Sequence, residues 1–161
     1  MALRYIKLLL LLGCLSSFTK TQGQYVSIPD AAFRTWLNAN GFSGCMNGNQ
    51  LDTTCSAVLN ATTINFTGTF NISDLTGIGY FDNVDTIYVF SNNLTSLPPL
   101  PPGLLFLDCG FNDITSLSNL PNELRYLKVN NNPLSGLPAS LPDSLRVFRC
   151  EQTTITSLPT L

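Results

Sequence analysis

The chain has 161 residues, of which 44% are hydrophobic and 11% charged, with a net charge of -2. That balance allows one domain with a buried core and is too apolar for a disordered polymer. Its 8 Lys and Arg residues are too few to build the basic face that nucleic acid or an anionic membrane surface requires.

Residues 1–23 read as a secretory signal peptide. Arg4 and Lys7 make a positive start, Leu8 to Leu15 make a short apolar run, and a cut falls between Gly23 and Gln24. The run is too short to cross a bilayer, so no transmembrane segment is expected. An alternative reads LLGC at 11–14 as a lipoprotein processing box that leaves Cys14 acylated. Both readings place the protein outside the cytosol, secreted or at the cell surface. Export gives the remaining cysteines meaning. Cys45 and Cys55 flank a small loop, and a disulfide there would staple it.

Residues 24–60 read as an N-terminal cap. Ser27 with Asp30 resembles a capping box, Pro29 suits a first helical turn, and Gly41 is the expected stop. Phe33, Trp36 and Leu37 share one face of the helix between them. Trp36 is therefore read as core, with a ligand contact as the alternative. A stacked repeat has exposed ends that need such a cover.

From residue 61 the chain repeats itself. Apolar units begin near 61, 84, 104, 124 and 145, the last four separated by steps of 20, 20 and 21. One unit reads L104-LFL-D-C-GFN-D-I-TS-L117, with apolar residues at positions 1, 4, 6, 11 and 14. Positions 3 to 7 alternate as a short strand must, which sends Ile87, Val89, Leu107, Cys109, Leu127, Val129, Phe148 and Cys150 inward. Asn92, Asn112 and Asn132 recur at position 9, where a buried amide can bond backbone as the strand turns away. Thr153 stands there in the last unit and does this more weakly. The return segments PPLPPG, SNLPNE and PASLPDS are too short and proline-rich for a long helix, and they predict an extended convex side. Cys109 and Cys150 lie two rungs apart, roughly 10 Å at strand spacing, beyond disulfide reach. They read as buried apolar residues, with a redox or metal pair as the alternative.

These units resemble the short leucine-rich repeats of secreted bacterial proteins, over residues 61–161. The resemblance implies a leucine-rich-repeat solenoid: parallel β-strands on a concave face, an extended proline-rich convex side and a short N-terminal helical cap. The IPDAAFRTWL segment is similar to the start of Bacteroidetes-type surface repeat proteins, and NISDLTGIGYF to internalin-like repeats. In the former a calcium loop, DxNxDGxI, precedes the repeats. Here Cys45, Asn47, Asn49 and Gln50 take its Asp, Asn, Asp and Gly positions, so no metal is expected. Sequons at Asn60, Asn65, Asn71 and Asn93 would matter in a eukaryotic secretory pathway alone.

Chemistry is sparse. Histidine is absent, which removes the commonest metal ligand and the usual general base. There is no phosphate-binding glycine motif, and the carboxylates are scattered over turns. No enzyme and no cofactor are expected. The concave face is the candidate site: Tyr88, Phe90, Phe106, Phe111 and Tyr126 form an aromatic patch flanked by Asp108, Lys128 and Arg149. The expected function is protein binding in adhesion or recognition by a secreted or surface bacterial protein. The alternatives are a display or spacer scaffold for a missing catalytic or anchoring domain, and a carbohydrate-binding surface. Leu161 falls where Leu100 and Leu120 fall, midway through a return segment. The chain is therefore expected to be a piece of a longer protein, or else to have its end covered by a second copy or a partner.

Overall fold

A step of 20 residues leaves room for a strand of three residues before the chain must turn back and return. The computed structural model describes residues 24–67, 71–118 and 120–156. The leader, with Cys14, and the final residues with Leu158 and Leu161 lie outside the described residues. Strands β4 (Thr63–Asn65), β5 (Thr86–Tyr88), β6 (Phe106–Asp108), β7 (Tyr126–Lys128) and β8 (Val147–Arg149) form one parallel sheet in chain order. Equivalent positions face one another at every step: Thr63, Thr86, Phe106, Tyr126 and Val147 stand in one row. The described return segments of the later units carry neither helix nor strand, as their prolines imply.

The inward columns form the core. Ile64, Ile87, Leu107 and Leu127 make one, and Phe66, Val89, Cys109 and Val129 the other, all essentially inaccessible to solvent. Each large apolar side chain so buried contributes about 1.5–3 kcal/mol. Phe148 and Cys150 were expected in the same columns but are half-buried, since among the described residues β8 has a neighbouring strand on one side alone.

The recurring asparagines stitch the rungs together. Asn112 accepts at Oδ1 from the Leu94 amide at 2.9 Å. Its Nδ2 donates to Val89 O at 3.0 Å and to Cys109 O at 3.1 Å. Asn92 and Asn132 repeat the pattern, accepting from the Ile72 and Ile114 amides and donating to Phe66 O and Cys109 O. Each amide thus satisfies backbone of its own turn and of the rung before it. Thr153, as expected, does less: its hydroxyl donates to Cys150 O at 2.8 Å, within its own rung.

The cap is more than a helix. β1 (Tyr25–Ser27), β2 (Met46–Asn47) and β3 (Gln50–Asp52) form an antiparallel sheet in the order β1-β3-β2, around helix α1 (Ala31–Ala39). A second short helix, α2 (Ser56–Asn60), leads into the repeats. The capping box expected at Ser27 is corrected. Ser27 is spent in β1, paired with Gln50, and Asp30 is the N-cap, accepting from Phe33 N at 2.7 Å. Gly41 does end the helix, at φ 92°, while Phe42 N closes onto Leu37 O. Cys45 and Cys55 are bonded, their Cα atoms 5.5 Å apart. Trp36 is core: it packs edge-on against Phe66 at 4.5 Å, and Phe33 meets the same ring at 5.2 Å. Phe66, at the inward position where later units carry Val or Cys, is the plug that joins cap to solenoid.

Asp30 also ties the cap to the first repeat. Its other oxygen accepts from Ser73 N at 2.9 Å, Ser73 Oγ at 2.8 Å and Asp74 N at 3.1 Å. Partial burial alone would raise its pKa, but the hydrogen bonds from Phe33, Ser73 and Asp74 outweigh it and hold the carboxyl below its ordinary 3.8. The stability it contributes is present above that ordinary value and is lost as pH falls through the lower, folded-state one. Asp30→Asn is expected to lower stability near neutrality and to flatten the acid limb of a urea-midpoint-against-pH curve below about pH 4. Asn112→Ala leaves buried backbone groups of two rungs without partners and is expected to cost about 3 kcal/mol in urea unfolding.

Candidate concave binding face

Residues at positions 3, 5 and 7 of each unit point away from the core, so in-register stacking makes three rows on the concave side. The aromatics fall into two groups rather than one patch. Tyr88, Phe106 and Tyr126 form a column, with ring centroids 5.0 Å apart for the first pair and 6.0 Å for the second. Phe90 and Phe111 form a separate pair at 4.9 Å, nearer the ends of the strands. Tyr126 is 40% exposed and Phe111 47%. Phe111 does not belong to the strand rows at all: it sits at position 8, where the backbone turns with φ 53°.

Register brings the expected charges together. Lys128 faces Asp108 across β6 and β7, Nζ to Oδ2 3.3 Å, and its ammonium stands 5.3 Å from the centre of the Phe106 ring. That cation sits over an aromatic face and beside a carboxylate, two contacts that fix a flexible stem. Arg149 neighbours Lys128 on β8 and is exposed. A hollow of about 420 Å³ opens among Phe90, Asp108, Lys128, Arg149 and Glu151. All eight expected residues therefore share one side of the molecule, with Arg149 at its flank.

The remaining cysteines among the described residues, Cys109 and Cys150, are not paired. Cys109 lies fully buried, its Sγ donating to Lys128 O at 3.4 Å. Burial, with a further push from Asp108, raises its pKa far above the ordinary thiol value. Burial and then Glu151 raise that of Cys150 as well. Both are free rather than paired, and thiols held protonated are poor nucleophiles and poor ligands. Among the described residues no three His, Cys, Asp or Glu side chains gather as a metal site, and no helix is long and apolar enough to cross a membrane.

Period, parallel register and the column of buried asparagines together decide the architecture. The fold is a leucine-rich-repeat solenoid. No family model matches the chain. Over 81 residues the solenoid is 33% identical to Mimecan of Mus musculus and 32% identical to Mimecan of Bos taurus, covering 47% of this chain and 27% of each relative. The chain thus spans about a quarter of the length of those relatives. Among solved structures it is similar to YopM from Yersinia enterocolitica WA-314, with 36% identity and a TM-score of 0.48, covering 50% of this chain and 18% of that one.

Because the Lys128–Asp108 pair is partly open to water, it orders the face more than it stabilises the fold. Lys128→Ala is expected to change unfolding free energy by less than about 1 kcal/mol in urea titration.

Proposed function

We propose that this solenoid is a non-catalytic protein-interaction module that binds its partner through the concave face. The observation that carries the reading is the column Tyr88–Phe106–Tyr126, three adjoining aromatics on the solvent side of a sheet whose core lies behind it. Large aromatic side chains ringed by charges supply most of the energy of protein interfaces, and contiguous exposed apolar surface marks such sites. Asp108, Lys128 and Arg149 would set register and suppress wrong partners, since charges across an interface contribute specificity more than affinity.

The module works outside the cytosol in this reading, secreted or held at a cell surface. The Cys45–Cys55 disulfide supports it, because such bonds persist in oxidising compartments, and residues 1–23 have the composition of a leader. Residues 24–60 serve as the cap and 61–161 as the repeats, with adhesion or recognition of a neighbouring cell's protein as the use. The resemblance of the repeats to those of secreted bacterial proteins favours a bacterial setting.

The test is an array of purified extracellular proteins probed with the wild-type solenoid, followed by titration of each hit. Tyr88→Ala and Tyr126→Ala are expected to weaken a true partner at least about tenfold, the loss usual for an interface aromatic, while leaving the unfolding midpoint nearly unchanged. Partners indifferent to both substitutions would place binding elsewhere on the molecule.

A further inference from the structure

Position 8 of each later unit is where the chain leaves the strand, and its backbone is left-handed every time. Ser91 has φ 60°, Phe111 53°, Asn131 55° and Gln152 56°. Three of these residues are polar. A bulky aromatic side chain is out of place in that region, because its Cβ crowds the backbone. Strained residues of this kind persist where they serve something other than stability. Core packing does not account for Phe111: its ring is 47% exposed and rests against Phe90, itself half-exposed on the concave side.

The residue before it adds a second observation. A Cβ at Gly110 would stand 2.9 Å from Oδ1 of Asn130, so the missing side chain makes room for that amide to lie across the backbone. The Asn130 main-chain oxygen is used, accepting from Phe111 N at 2.9 Å. Its side-chain amide is half-exposed and bonds no other described residue. Phe90 and this uncommitted amide line the same hollow, about 420 Å³ in volume, and the Phe111 ring leans against Phe90 beside it.

We infer that Phe111 is the specificity-determining anchor of the concave face, and that the Phe90–Phe111 pair with the Asn130 amide holds an extended segment of a partner protein. The segment lays an apolar side chain against the two rings, whose faces offer apolar surface to it. It sets a peptide group against Asn130, whose amide carries both the donors and the acceptor that a peptide group requires. This rests on the concave-face reading and narrows it to one corner and one kind of occupant.

The experiment selects a displayed library of random peptides on the full chain and measures the recovered peptides against two variants. Phe111→Asn installs the residue that Asn131 shows to suit this backbone. It is expected to weaken the peptides at least about tenfold while the Tm does not fall. A Tm drop of several degrees would show that the ring is retained for packing and would overturn the inference. Peptides that lose affinity on Tyr126→Ala but keep it on Phe111→Asn would overturn the anchor and leave the wider face intact. Peptides indifferent to both would overturn the face and the anchor together. Phe111-dependent ligands found on a glycan array, with no peptide recovered, would overturn the peptide occupant.

Discussion

The buried asparagine column is the constraint on which the rest of the structure depends. A three-residue strand must be left within a few residues, and each departure strands backbone amides and carbonyls inside the molecule. Leaving such groups unpaired costs as much as a lost hydrogen bond each. Asn92, Asn112 and Asn132 meet that cost with one amide apiece, because an amide both donates and accepts. Since each reaches the previous rung, the bonds that close one turn also dock it onto the last. That is why the period varies so little, and why Thr153, with a single hydroxyl, leaves its rung less tightly tied.

A fixed period in turn fixes the concave face. Once rungs stack in register, whatever stands at position 3 or 5 of one unit is placed about 4.8 Å from its counterpart, a spacing that suits stacked rings. Phe106 and Tyr126 exploit it at position 3 and Asp108 and Lys128 at position 5, while Tyr88 and Lys128 each meet the Phe106 ring diagonally from a neighbouring strand. The face is therefore ordered on its own, which would lower the cost of binding in the proposed role. At the other end, Phe66 and Asp30 couple the first rung to the cap, one through aromatic packing and one through a carboxylate shared between helix and loop.

The repeats were legible in the sequence because their signal is summed over units: apolar positions and asparagines recur at one spacing, and any two units corroborate each other. The rows and the inward columns of the inner rungs followed from counting, whereas Phe111, at position 8, stands outside the rows. The cap was legible in part. Its helix announces itself through Phe33, Trp36 and Leu37, but β1, β2 and β3 have two or three residues each, too few for alternation to show. Asp30 was read as the capping-box partner of Ser27, three residues before it, because its long-range partners, Ser73 and Asp74, lie more than forty residues on. The division of the aromatics into a column and a pair depends on the turn at Phe111. That turn is visible only when Ser91, Phe111, Asn131 and Gln152 are aligned and seen to demand one backbone shape.

Amide hydrogen exchange resolved by residue tests the asparagine account most directly. The amides of Ile72, Leu94 and Ile114 lie in segments without helix or strand, yet each donates to a buried asparagine. If the column organises the fold, these three amides exchange as slowly as those of β5 to β7, through global unfolding alone. Exchange at the rate of the exposed return segments around them would contradict it, and the rungs would then be held by their apolar columns without help from the asparagines.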